Sequence, residues 1–274
     1  MEYRKILIKY GGNAMVNEEL KHDIAKKIKE LQNDGIQVVL VHGGGPFINK
    51  SLAEAGIKSE FFDGHRHTSL AAMTCIEKTL KGEVNSSLVN LLNRQGLKAV
   101  GLSGKDGKLA IAQKRWHIRK EEKGKELKMD LGQVGDLVKV NPLLIESLLD
   151  NEFTPVITCI ASDDKGNDYN INGDVFAGRI ASAIKADAYI VLTDVDGLYK
   201  KYPNPDSIIR EIDTTTISEF YGNAISGGMI PKIESCVDAV KSGVKKAVIV
   251  NGTRPEQISD YLIKQISIGT TIKL

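Results

Sequence analysis

The chain has little cysteine, a single tryptophan, almost no net charge and no apolar run of membrane-spanning length. Each shortage removes a class of function. Cys75, Cys159 and Cys236 are odd in number and far apart. They form neither a disulfide framework nor a metal-ligand spacing, and they read as small buried apolar residues in a reducing cytoplasm. Thirty-seven basic residues against 35 acidic ones leave a formal charge of +2, so no global field draws in nucleic acid or a membrane surface. A basic stripe and an aromatic platform for nucleic acid are also missing. The one dense charge run, Lys120 to Lys128, reads as a solvated hairpin or loop. Met1-Glu2-Tyr3-Arg4-Lys5 leads into a strand rather than a signal peptide. Neither the Walker A pattern nor GxGxxG occurs, which argues against a P-loop protein and a standard dinucleotide fold.

What is present is a series of short apolar runs rich in Val and Ile: Ile6–Ile8, Val38–Val41, Ala99–Leu102, Val156–Ile160, Tyr189–Leu192 and Ala247–Val250. They lack polar alternation, as strands buried on both faces do. Helical periods separate them. Between Asn17 and Asp34, the residues Leu20, Ile24, Ile28 and Leu31 share one face, with Asn17 as N-cap, Glu18 and Glu19 in the first turn and Gly35 as the stop. Pro46 fits the first position of the next helix. Ile76, Leu80, Val84, Leu88 and Leu91 predict a long helix with Gly82 inside it. A mid-helix glycine costs about 1 kcal/mol against alanine, which close packing against another helix, across a subunit interface, would offset. Strand–helix alternation predicts an α/β fold: a three-layer αβα sandwich around a mainly parallel open sheet. Lys105 to Lys139, with the short alternating pieces Leu109–Lys114 and Trp116–Arg119, reads as inserted β-hairpins. No linker and no repeat appears, and two lobes on one sheet, 1–180 and 181–274, is the expected organisation.

Several residues stand where chemistry is expected. Lys9 ends the first apolar run, ahead of Gly11-Gly12, and Lys232 follows Gly227-Gly228-Met229-Ile230-Pro231 at the opening of a helix-like segment. His42-Gly43-Gly44-Gly45 follows the second run, at the carboxyl end of a strand where open α/β sheets bind ligands. Glycines let backbone approach a ligand and helix N-termini favour anions, so lysines beside such loops are placed to meet phosphate. Asn170 and Asn172 alternate, so an extended chain points both at one ligand. Asp174 either caps the helix after it or faces that ligand. Asp194 and Asp196 end another buried strand and are either ligand or Mg²⁺ contacts or turn residues before Gly197. Arg66, between His65 and His67, suits bidentate carboxylate recognition or lies on the surface. The two histidines show no metal spacing with any other, and no protein metal site is expected.

Together these pieces resemble the amino acid kinase family over about Lys5 to Thr271. The motifs are KYGGNAM (9–15), VHGGGP (41–46), GHR (64–66), KGEVN (81–85), VGLSGKDG (100–107), YNINGD (169–174), TDVDGLY (193–199), GGMIPK (227–232) and GTT (269–271). Nine in family order are far more specific than any one alone. Within the family they look like the branch that uses MgATP to phosphorylate the side-chain carboxylate of an N-acylated glutamate, the second step of arginine synthesis. On that resemblance Lys9 and Lys232 stabilise the transition state and Asp174 holds both ammonium groups. Gly44 and Gly45 offer backbone N–H groups to substrate and phosphate. Arg66, Asn170 and Asn172 hold the acylamino acid, Arg66 through its α-carboxylate. Gly11, Gly12, the stretch Thr193, Asp194, Val195, Asp196, Gly197, Leu198 and Tyr199, and the stretch Ser226, Gly227 and Met229 face ATP, whose phosphates carry most of the Mg²⁺ coordination.

The chain departs from the family pattern after Arg66, where His67-Thr68-Ser69 replaces Val-Thr and an acidic residue. N-succinylglutamate and carrier-bound aminoadipate are therefore alternative acceptors, and a non-catalytic nucleotide or metabolite sensor is the alternative outside catalysis. Arginine-inhibited members carry an additional N-terminal helix, whereas here the first strand begins within five residues of Met1. The resemblance thus implies a homodimer, built on the helix containing Gly82, without arginine feedback.

Overall fold

A computed structural model describes residues 3–62, 65–120 and 126–274. Gly64 of the GHR motif and the centre of the Lys120–Lys128 run lie outside the described residues. In chain order the first strands and helices are β1 (Lys5–Tyr10), α1 (Glu18–Asn33), β2 (Gln37–His42), α2 (Gly45–Glu54), β3 (Phe61–Phe62), β4 (His65–Arg66), α3 (Leu70–Glu77), α4 (Ser86–Arg94) and β5 (Ala99–Ser103). The middle of the chain forms β6 (Ala110–Lys120), β7 (Glu126–Val140), α5 (Leu143–Asp150), β8 (Thr154–Thr158), β9 (Ile160–Ser162), β10 (Asp168–Asn170) and α6 (Gly173–Ala183). The last part holds β11 (Ala188–Thr193), β12 (Leu198–Tyr199), β13 (Ile208–Ile209), β14 (Glu211–Asp213), α7 (Met229–Lys241), β15 (Lys246–Asn251), α8 (Glu256–Leu262) and β16 (Thr270–Lys273).

One sheet runs through the molecule in the order β14-β16-β15-β11-β1-β2-β8-β5. The six strands from β15 to β5 are parallel, while β16 pairs antiparallel to β15 and β14 parallel to β16. Alternate residues of each strand enter two cores, as the period of a strand requires. Leu7, Val39, Val41, Ile157, Val191 and Ile249 pack with α2, α3, α5, α6 and α7. Ile6, Ile8, Val38, Leu40, Ile190 and Val248 pack with α1, α4 and α8. This is the expected three-layer sandwich. Residue 180, the expected lobe boundary, lies inside α6, and the sheet continues across it.

Four expectations change. The expected inserted hairpin is present as β6 paired antiparallel with β7, but it does not stand alone. β6 and β7 join β9 and β10 in a small closed barrel, and the two short pieces, apart from Leu109, belong to the one strand β6 with register shifts. The run Val156–Ile160 splits: β8 ends in the main sheet, Cys159 is the joint, and β9 starts the barrel. The helix with Pro46 begins at Gly45, which puts the proline second, still within the turn whose N–H groups lack intrahelical partners. The long helix is continuous from Leu70 to Arg94, but Lys78–Asn85 is a π-helical stretch. Leu80 there enters one core and Val84 the other, so the wide turn marks where the helix passes from one face of the sheet to the other. The same phase change buries Leu92 more deeply than Leu91. Gly82 is exposed, and a Cβ added to it meets nothing within 4 Å.

Candidate active site

The site is assembled from strand ends and the helix starts that follow them. β1 delivers Lys9, and the next residues turn away at Gly11 and Gly12. A Cβ on Gly11 would lie 2.9 Å from the Lys9 ammonium, so glycine there gives the charge its space. β2 delivers His42 and the glycine loop. Gly43 and Gly45 face open space, and a Cβ on Gly44 would strike Leu80 Cδ2 at 2.6 Å. The loop opens α2, whose first N–H groups have no intrahelical partner.

The third strand–helix junction decides the choice left open for Asp174. Asn172 is the cap: its Oδ1 accepts from the Asp174 and Val175 N–H groups at 2.9 and 3.2 Å. The Asp174 carboxylate is thereby released to face two cations. Lys9 Nζ lies 2.9 Å from Oδ1 and Lys232 Nζ 3.0 Å from Oδ2. Asp174 is 5% exposed, and burial alone pushes its carboxyl upward. The two lysine charges outweigh burial and hold it down at about 2. Burial, then the nearby Lys9 charge, push Lys232 below the ordinary lysine value. One carboxylate therefore spaces two cations that would repel each other without it. Tyr189 ties the arrangement together, its hydroxyl donating to the Asp174 carbonyl at 3.0 Å and lying 3.3 Å from Ser235 Oγ. Ser235 in turn donates to the Lys232 carbonyl at 2.8 Å.

A cavity of about 230 Å³ opens from this cluster. Lys9, Gly11, Gly12, Gly44, Gly45, Arg66, Asn170, Asn172 and Asp174, all anticipated from the sequence, line it. Arg66 is 7% exposed. Its Nη2 donates to Asn49 Oδ1 at 2.6 Å, its Nη1 donates to Ser59 Oγ, and its guanidinium stacks 4.5 Å over the Phe61 ring. Asn170 Nδ2 lies 3.5 Å from Thr68 Oγ1. The sequence reading missed the apolar wall of Ile48, Phe61, Val134, Cys159 and Ile171. Val134 had no local signal, because it reaches the cavity only through the β10–β7 pairing of Asn170 with Val134.

The other anticipated residues form a separate group. Asp194 accepts from Asn13 N and Nδ2, each at 3.1 Å. Asp196 accepts from Asn251 Nδ2 at 2.9 Å, Gln257 Nε2 at 3.2 Å and the Tyr199 hydroxyl at 3.3 Å, and pairs with Arg254. Thr193 ends β11, and Val195 lies between the two carboxylates. Gly197 has φ +137°, and a Cβ there would meet Thr270 Oγ1 at 2.7 Å. Leu198 N donates to that same oxygen at 2.8 Å. The GTT motif thus buttresses the turn before Tyr199. Gly227 has φ +51°, and Met229 N donates to the Ser226 carbonyl at 3.0 Å as α7 begins. Among the described residues, no group of three His, Cys, Asp or Glu side chains is placed to hold a metal ion, and no helix is long and apolar enough to cross a membrane.

Comparison with known proteins agrees with this geometry. The model of the amino acid kinase family matches residues 4–251. The chain belongs to that family. An acetylglutamate kinase of Methanocaldococcus jannaschii is 43% identical over 272 residues, covering 98% of this chain and 91% of the relative. An acetylglutamate kinase of Geobacter metallireducens is 43% identical over 276 residues, covering 98% and 92%. The solved N-acetylglutamate synthase of Neisseria gonorrhoeae, complexed with coenzyme A and N-acetyl-glutamate, superposes with a TM-score of 0.81 at 20% identity. The match covers 99% of this chain and 59% of the synthase, a likeness of fold. The amino acid kinase fold accounts for the mainly parallel sheet and for strand ends that converge on one cavity.

Proposed function

We propose that this kinase transfers the γ-phosphoryl group of ATP to the side-chain carboxylate of N-acetyl-L-glutamate, giving N-acetylglutamyl 5-phosphate in arginine biosynthesis. The observation that carries the reading is the Lys9–Asp174–Lys232 cluster, whose Lys9 and Asp174 line the glycine-rich cavity. Full-length relatives at 43% identity named acetylglutamate kinase supply the acceptor.

The chemistry asks little of a base. A side-chain carboxylate is ionised at neutral pH, so no proton need be removed before attack. The obstacle is charge: an anion must approach the γ-phosphoryl, and the leaving ADP gains charge as the bond breaks. In this reading Lys9 and Lys232 meet that charge, and Asp174 keeps their ammonium groups apart. The Gly44 and Gly45 N–H groups face the acceptor and the transferred phosphoryl. Arg66, held flat by Asn49, Ser59 and Phe61, binds the α-carboxylate. Asn170 and Asn172 hold the acylamino group, and Ile48, Phe61, Val134 and Ile171 shape a small apolar pocket for the acyl methyl. ATP lies towards Gly11, Gly12, Thr193 to Tyr199 and Ser226 to Met229, and brings Mg²⁺ on its phosphates. Residues 1–180 act as the acceptor and dimer lobe and 181–274 as the nucleotide lobe of a cytoplasmic homodimer, with the exposed helix around Gly82 as its contact.

Purified protein incubated with MgATP, hydroxylamine and N-acetylglutamate should yield hydroxamate, the trap for an acyl phosphate. N-succinylglutamate in parallel should give little. Signal from the succinyl compound alone overturns the acceptor assignment, and signal from neither overturns the activity.

A further inference from the structure

The KGEVN motif has no place in the mechanism above, yet its last residue is fully buried against the glycine loop. Asn85, 2% exposed, projects from the π-helical stretch, and glycine at 101 makes room for it, since any Cβ there would collide with Asn85 Oδ1. Its Nδ2 donates to the Val156 carbonyl at 2.9 Å. A carbonyl oxygen only accepts, which fixes the end of the amide facing it as nitrogen. The same Nδ2 lies 2.8 Å from His42 Nε2, so Nε2 accepts. The imidazole proton is then on Nδ1, 2.8 Å from the Gly43 carbonyl. His42 is 0% exposed.

We propose that Asn85 is a positioning residue for phosphoryl transfer: it holds His42 in the tautomer that fixes the Gly43 carbonyl and thereby aims the Gly44 N–H into the cavity. The step from carbonyl to N–H is covalent. Both groups belong to one planar trans peptide and point in opposite directions. A carbonyl held on His42 sends the Gly44 N–H the other way, towards the anion. Leu80 of the same π-turn packs where a Gly44 Cβ would be, so the turn grips the loop at two points. Lys81 anchors the turn from outside, donating to the Gly101 carbonyl at 2.8 Å and to Asp106 Oδ2 at 3.2 Å. Burial depresses the His42 pKa to about 4, so the neutral ring persists through the working range.

The inference rests on the proposed activity, and the test separates the two. Steady-state kinetics of wild type, Asn85→Ala, His42→Asn and His42→Gln are compared with nitrogen-15 NMR of the His42 ring. In Asn85→Ala, kcat should fall roughly 10- to 100-fold, with KM for N-acetylglutamate changed by less than about threefold. His42→Asn places an amide nitrogen near the Nδ1 position and should keep kcat within about tenfold of wild type, whereas His42→Gln reaches towards Nε2 and should fall as far as Asn85→Ala. The wild-type ring should carry its proton on Nδ1 between about pH 5 and 8. Wild-type kcat in Asn85→Ala, equal kcat in the two His42 variants, or a proton on Nε2 in wild type each overturns the inference. Should Asn85→Ala not fold, the His42 pair and the wild-type spectrum decide it. An inactive wild type instead overturns the activity, and the spectrum still tests the tautomer.

Discussion

On the proposed acceptor side of the site, Gly43 and Gly45 face open space and Asn170 lines a cavity. On the proposed nucleotide side, Asp194 and Asp196 are occupied by protein donors. Both regions follow buried strands and both contain glycine at a turn, so their sequences invite the same reading. The difference lies in where hydrogen-bonding capacity is spent. A polar group whose partners all come from the protein stabilises a turn, and one left facing a cavity is available to a ligand. Asp174 stands between these cases: it is satisfied, but by two lysines, of which Lys9 lines the cavity. Its bonds set the spacing of the two lysines rather than the shape of a loop.

The sharpest way to break this contrast is to remove the lysines. Lys9→Ala and Lys232→Ala should each lower kcat by about 10²- to 10³-fold or more, with circular dichroism showing retained fold. Near-normal turnover in either variant removes that lysine from the reaction. Next in size is Arg66→Lys. It keeps the charge but loses the planar fork held by Asn49 and Ser59 and the stack on Phe61. KM for N-acetylglutamate should rise roughly 10- to 100-fold, equivalent to about 1.4–2.8 kcal/mol of binding, with kcat within a few-fold. A fall in kcat at constant KM would place Arg66 outside ground-state recognition.

The two carboxylates give the third test. Asp196→Asn should cost about 1–2 kcal/mol of stability while KM for ATP changes little. A large ATP effect without loss of stability would erase the contrast drawn above. Asp174→Asn should abolish turnover, and its stability cost should depend on pH. The native carboxyl titrates at about 2, below the ordinary 3.8. A depressed acid stabilises the fold at pH values above its unfolded pKa, and that stabilisation, on the order of 2 kcal/mol, is lost as pH falls through the folded value. The wild-type advantage in urea midpoint should therefore be constant above about pH 5 and shrink between about pH 4 and 2. A constant difference across that range would mean that Asp174 is not held ionised by the lysines.

These contrasts mark what the sequence carried. The six parallel strands were legible because strands buried on both faces read as unbroken Val and Ile runs. Lys9, the glycine loop and Arg66 were legible because each stands beside a turn at a strand end. The barrel was not, since its closure depends on Asn170 meeting Val134 far along the chain. The π-turn was hidden because five apolar residues spaced by four, four, four and three fit an α-helix nearly as well. Asn172 and Asp174 could not be ranked as cap and ligand, since both side chains can accept from a helix N-terminus and only the lysines' positions choose between them. Strands β14 and β16, at one end of the sheet, are too short and too mixed in composition to signal themselves.

The smallest expected effect belongs to a mid-helix glycine with no contact to explain it. Gly82 is exposed in the isolated chain and has open space where a Cβ would go. With nothing but solvent there, Gly82→Ala should stabilise the protein by about 0.5–1 kcal/mol, because alanine restricts the unfolded chain and suits a helix. With a second copy packed against that face, the added methyl enters a close contact between helices. Overpacking of that kind costs about 1–3 kcal/mol. Sedimentation and thermal unfolding over a range of protein concentrations read the two effects separately. The dimer proposal predicts weaker association in the variant and a lower melting temperature at any one protein concentration. A variant that is more stable and associates as wild type does would leave the Gly82 face to solvent and move the dimer contact elsewhere.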